Sequence, residues 1–143
     1  MPTESRRRLA PALHLVDLLL DRWAHWSAGE LERLGYGQSM SQKLIEWHER
    51  GIAPEHYAGM RLNESCPDGV LMMDRLVARL DQPLHAAVCE EYFTYAPIEL
   101  KARHCAQSVS GFRRNLDRAR WCLRQVLLVL EIEFDKDGNL RSG

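Results

Sequence analysis

The sequence predicts an all-α protein, and three observations carry that reading. Apolar residues recur at steps of three and four over most of the chain. No stretch keeps the period of two that a half-buried strand requires, and there is no internal repeat. Good capping residues, Ser108 above all, stand directly before periodic segments. With 143 residues, 45% of them hydrophobic and 27% charged, the chain has the apolar content for one core and is not a disordered segment. A single helical domain over 1–143 is expected. Its N-terminal helices and a loop fall in 10–66, and a second helical region falls in 67–134.

The elements follow in order. Leu13, Val16, Leu20 and Trp23 form one stripe, which predicts a helix over Pro11–Trp26 with Pro11 in its first turn and Gly29 just past its end. A shorter helix is expected after Ser39 or Ser41, through Leu44, Ile45 and His48 to Gly51. The stretch IAPEHYAGMRLNESCPDG has no sustained period and reads as a long loop over 52–68. From Asp68, the residues Val70, Met73, Val77 and Leu80 make a helical stripe that Pro83 is expected to end. Leu84, Val88 and Tyr92 mark the next helix, over Leu84–Tyr95. Pro97 and Glu99 suit the first turn of a short helix that closes near Cys105. After Ala106 and Gln107, Ser108 caps a last helix. Its stripe is Phe112, Leu116, Ala119, Leu123, Val126 or Leu127, and Leu130.

Composition narrows the function classes. No apolar run approaches the roughly 20 residues of a membrane span, and the N-terminal Arg6–Arg8 is not followed by the pattern of a signal peptide, so a cytoplasmic protein without a membrane partner is expected. Cys66, Cys89, Cys105 and Cys122 contain no C-x-x-C pair. Cys89, Cys105 and Cys122 read as small apolar fillers on helices, although a zinc site assembled across helices around His85, Cys89, His104 and Cys105 is conceivable from the spacing. No metal or cofactor is expected. The six histidines lie without nucleophile–base spacing and no phosphate-cradling glycine loop occurs, so no catalytic residues are assigned.

The formal net charge is −1, yet arginine gathers in SVSGFRRNLDRARWCLRQVL, over Ser108–Leu127. Opposite the apolar stripe of that helix stand Ser110, Gly111, Arg113, Arg114, Asn115, Asp117, Arg118 and Arg124. Lys101 and Arg103 on the preceding short helix carry the same sign. Two helices joined by a tight link, the second basic at its start, match a helix-turn-helix. Arginine at such a start can bond guanine O6 and N7, and serine or asparagine can reach base edges or phosphates. Small Ser110 and Gly111 would allow close approach, and Lys101, Arg103 or Arg118 would hold phosphates. The plainer reading is a solvated face, with Arg120 and Arg124 pairing with Asp117 or Glu131. Trp26, Trp47 and Tyr57 are candidate partner contacts. Trp23, and with it Trp26 and Trp121, can instead serve the core.

The segment LHAAVCEEYFTYAPIELKARHCAQSVSGFRRNLDRARWCLRQVL resembles region 4 of bacterial sigma factors. It resembles more closely the small lambdoid class of Q-type phage antitermination proteins. That family also carries a W-x-x-W pair, here Trp23 and Trp26, and an acidic-start helix, here PDGVLMMDRLVARL. The likeness covers most of Leu13–Glu131 and is strongest over Asp68–Leu130, and nothing carries over for Ser27–Ser65. Lys101 separates Leu100 from Ala102 where the family has Leu-Ala, Ala106 stands where glycine is frequent, and Gln107 stands where an apolar residue is usual. By matching positions, the resemblance implies that Ser108, Ser110, Arg113, Arg114, Asp117 and Arg118 read DNA. It implies a factor that binds double-stranded DNA beside a promoter and loads onto RNA polymerase paused with its sigma factor. Such a factor acts near the nascent RNA in the exit channel to suppress pausing and termination. The alternatives are a helix-turn-helix repressor or initiation regulator, and a helical adaptor that binds no DNA.

Overall fold

The computed structural model describes residues 9–33, 45, 48–50 and 68–130; for 29–33 and 68 it describes the backbone alone. Every regular element among them is helical. A single 3-10 turn, Pro11–Leu13, leads into α1, His14–Arg33. It is followed by α2, Asp68–Ala78, α3, Gln82–Phe93, α4, Ile98–His104, and α5, Val109–Val129. Ile45 and His48–Glu49 are helical too. The rest of the second expected helix, and the loop up to residue 67, lie outside the described residues.

Several expected boundaries move: α3 runs over Gln82–Phe93 instead of the expected Leu84–Tyr95, α1 starts at His14 after the 3-10 turn, and two further shifts have a local reason. α1 continues past Trp26 and Gly29 to Arg33. One glycine costs a helix about 1 kcal/mol, and the Glu-Leu-Glu-Arg that follows it consists of good helix formers. α2 stops at Ala78, ahead of Pro83, which sits in the first turn of α3. There its missing N–H has no intrahelical partner to lose. The turn is closed by the His85 N–H donating to the Asp81 carbonyl at 2.8 Å.

α3 is the hub of the fold, with all residues from His85 to Tyr92 buried. It packs against α1, α2, α4 and α5. The apolar stripes meet around it. Leu13, Val16, Leu20 and Trp23 are buried, as are Val70, Met73, Val77 and Leu80. From α5 come Phe112, Leu116, Ala119, Leu123 and Leu127, whereas Val126 is half-buried and Leu130 is 53% exposed. Trp23 belongs to the core: its ring meets Phe93 edge-on at 4.9 Å, and its Nε1–H donates to Asp74 Oδ1 at 2.8 Å. His48 stacks on buried His85 at 4.4 Å, and its Nε2 lies 2.9 Å from the Leu80 carbonyl. A carbonyl only accepts, so that nitrogen carries the proton.

The cysteines divide. Cys89 is a buried filler and half-buried Cys105 points its thiol at the Ala86 carbonyl, 3.4 Å away. Cys122, expected as a third filler, is exposed. It precedes Leu123 of the buried stripe and so falls off that face. Cys66 lies outside the described residues. No described helix is long and apolar enough to cross a membrane.

Candidate nucleic-acid interface

α4 and α5 form a short helix, a tight turn and a long helix, and each junction has a chemical cause. Pro97, in extended conformation, launches α4, and Glu99 lies in its first turn. Lys101, Arg103 and His104 fill its last turn, where cations suit the helix dipole. The Gln107 N–H donates to the Ala102 carbonyl at 2.9 Å and the Ala106 N–H to the Arg103 carbonyl at 3.0 Å. This is the paired closure of a Schellman turn. It requires the left-handed region at Ala106, whose φ is 55°. Glycine tolerates that region without a steric penalty and alanine does not. Gln107 Nε2 then ties the turn to α3 by donating to the Pro83 carbonyl at 3.1 Å. Ser108 caps α5 by accepting from the Gly111 N–H at 3.0 Å.

On this frame Ser108, Ser110, Arg113, Arg114, Asp117 and Arg118 are all exposed on the first half of α5, with Arg103 exposed at the end of α4. Asn115 is half-buried. Six of the nine DNA-contact candidates therefore share one helix surface, and Arg103 joins them from α4.

The other two differ from expectation. Lys101 is 1% exposed, and its ammonium donates to Glu91 Oε1 at 2.6 Å. It faces α3 rather than the surface, so it is not presented to a phosphate. Gly111 is buried, and a Cβ there would stand 2.9 Å from Ser108 Oγ. Its missing side chain makes room for the cap, not for a duplex.

Arg120 departs further from the solvated arginine that its sequence neighbours suggest. It is 3% exposed and lies over the Tyr92 ring at 5.6 Å. Its Nε–H donates to Tyr92 Oη at 3.0 Å, and its Nη2 is 3.7 Å from Glu91 Oε2. Tyr92 in turn donates to Asp17 Oδ1 at 2.6 Å. Burial pushes the Tyr92 phenol well above its ordinary pKa; nearby Arg120 pulls the other way and Asp17 adds to the rise. The chain Asp17–Tyr92–Arg120–Glu91–Lys101 thus links α1, α3, α4 and α5 through polar contacts that are buried except at the half-buried Asp17 end. It fixes how the basic face sits on the hub. One signal in the sequence pointed to it: Arg120 stands four residues after Leu116 and three before Leu123, inside the buried period.

Among the partner candidates, Trp26 is half-buried and packs on the core. It lines a cleft of about 760 Å³ with Asp17, Asp21, His25, Phe93 and Tyr95. Trp47 and Tyr57 lie outside the described residues. The tryptophan that stands out is Trp121, 41% exposed, with the Arg124 guanidinium 5.7 Å from its ring centre. A second cleft, of about 840 Å³, runs beside Pro97, Ile98, Arg113, Leu116 and Asp117. Among the described residues no three histidine, cysteine or carboxylate side chains gather to hold a metal ion. The chain matches no family model, no curated protein and no solved structure.

Proposed function

We propose that this chain is a DNA-binding regulator of transcript elongation: a phage or prophage antitermination factor of the cytoplasm, without catalytic activity. The observation that carries the reading is the surface of α5, where Ser110, Arg113, Arg114, Asp117 and Arg118 are exposed together at the start of a capped helix. In a helix-turn-helix the first turns of the second helix enter the major groove. Arginines there bond guanine, and Arg103 across the turn would hold a phosphate. The near-neutral charge suits a modest grip on DNA that contact with RNA polymerase and its sigma factor reinforces, because counterion release grows with each phosphate contact. The resemblance to the Q-type antitermination proteins supplies the elongation role.

The deciding experiment is a purified transcription reaction with polymerase, sigma factor and a promoter bearing its promoter-proximal element. Readthrough of a downstream terminator is expected, dependent on that element and lost with Arg113→Ala plus Arg114→Ala. A chain that alters initiation with no readthrough is a repressor or initiation regulator. Activity that is indifferent to the double variant identifies an adaptor that binds no DNA.

A further inference from the structure

The second cleft, of about 840 Å³, has a chemistry that the proposed DNA surface does not use. It lies between the 3-10 turn, the link into α4 and the first half of α5. Its walls are apolar: Leu13 and Leu116 are buried, and Leu9, Ala96 and Ile98 are half-buried. Its charged groups fall into two layers by burial. At the base lie Glu91, Lys101 and Arg120, which are 5%, 1% and 3% exposed. At the rim Glu99, Arg113 and Asp117 are exposed. A cleft of this size, with apolar walls around a few convergent polar groups, has the make-up of a small-molecule site.

The three cations and three carboxylates cancel in sum but not layer by layer. The rim groups are solvated and screened. The base holds two cations against one carboxylate, and that carboxylate is unevenly shared. Glu91 Oε1 accepts from the Lys101 ammonium at 2.6 Å, while Oε2 stands 3.7 Å from Arg120 Nη2, beyond a hydrogen bond. Asp17 reaches Arg120 only through the Tyr92 hydroxyl and lines the other cleft. Arg120 donates through Nε to Tyr92 Oη at 3.0 Å, and its buried Nη2 has no hydrogen-bond partner among the described residues. A guanidinium kept from water with donor capacity unspent favours an anionic acceptor, and a carboxylate matches its planar fork.

We infer that this cleft binds a small amphipathic carboxylic acid. Its apolar body covers Leu9, Leu13, Ile98 and Leu116, and its carboxylate lies against the Arg120 guanidinium at the base. Neither Arg113 nor Asp117, which also belong to the outward face of α5, is needed to hold it. Binding to the chain alone therefore stands or falls independently of DNA.

The test uses the full chain and isothermal titration calorimetry with octanoate below its micelle concentration. Octanoate is expected to bind saturably. Acetate, which has the charge without the body, and octanol, which has the body without the charge, should each bind at least tenfold more weakly. Octylammonium should not bind. Arg120→Gln should weaken octanoate at least tenfold and leave octanol unchanged, a split that loss of packing alone would not give. Ala96→Glu and Ala96→Lys, on the wall, carry the test if Arg120→Gln does not fold: the first should weaken octanoate and the second should not. Circular dichroism checks the helix content of each variant, and methyl NMR shifts should centre on Leu13, Ile98 and Leu116. Octanol or octylammonium binding as tightly as octanoate overturns the inference. So does an octanoate affinity that neither Arg120→Gln nor Ala96→Glu changes, and so do methyl shifts centred on Val70 of the other cleft. A complete lack of saturable octanoate binding overturns it as well.

Discussion

At the residue scale, the turn between α4 and α5 concentrates the chemistry in three positions. Ala106 holds φ 55°, a conformation that costs an L-residue with a side chain about 1–2 kcal/mol relative to glycine. Part of that is returned because glycine is freer in the unfolded chain. Ala106→Gly is therefore expected to raise unfolding stability by about 0.5–1 kcal/mol. Ser108→Ala removes the acceptor of the Gly111 N–H and should lower it by about 1 kcal/mol. Gly111→Ala tests the same cap from the other side. Alanine gains helix propensity of about 0.8–1 kcal/mol but meets Ser108 Oγ at 2.9 Å, so the net change should be near zero. Urea denaturation midpoints at constant slope would check all three. The need for glycine-like backbone at Ala106 was signalled only by the resemblance, in which glycine is frequent at that position. The burial of Gly111 was not legible, since a small residue near a helix start suits a cap and an open surface equally well.

At the scale of elements, the angle between α4 and α5 is set by α3 rather than by the turn alone. Lys101 from α4 and Arg120 from α5 both approach Glu91 of α3, at 2.6 and 3.7 Å. Removing one partner of a buried ion pair leaves a charge without compensation, at about 3–5 kcal/mol. Lys101→Met loses the 2.6 Å pair but leaves Glu91 facing Arg120, so it should be destabilising by less than that, and adding Glu91→Gln should deepen the loss because it strands the buried Arg120 guanidinium. Thermal unfolding of the single and double variants checks this. A Lys101 that served a phosphate at the surface would instead show little change in stability and a weaker salt dependence of DNA binding. The stripes of α1, α2 and α5 were legible because each buries one face. α3 was only half legible: its residues from His85 to Tyr92 are buried on every side, and a helix enclosed all round has no polar face to set its period. Glu90 and Glu91 lie within that enclosed stretch and are both 5% exposed.

At the scale of the whole molecule, the polar groups locked into the interior bear on how stability varies with pH. Burial, with Glu90 adding to it, pushes the Cys105 thiol from 9.0 up to about 12, and the Tyr92 phenol is raised as well. Both groups keep their protons in the folded state at a pH where the unfolded chain has begun to release them. The contribution of Cys105 is complete below pH 9 and is lost as pH rises from 9 toward about 12, and that of Tyr92 is complete below pH 10 and declines above it. Denaturation midpoints are expected to fall across that window, and Cys105→Ala should make the early part of the fall shallower. Such a variant follows from packing and not from any motif.

The division between sequence and tertiary structure follows the same line. The sequence alone determined the all-α class, most of the apolar stripes, the Ser108 cap and the basic outward face of α5, because helical periodicity and capping act between near neighbours in the chain. Only the tertiary structure decided that Lys101 turns inward, that Glu91 receives it and, with Tyr92, receives Arg120, and that Trp121 faces out. Whether a charged or amphipathic side chain is buried depends on a partner supplied by another helix, and local spacing carries no record of that partner.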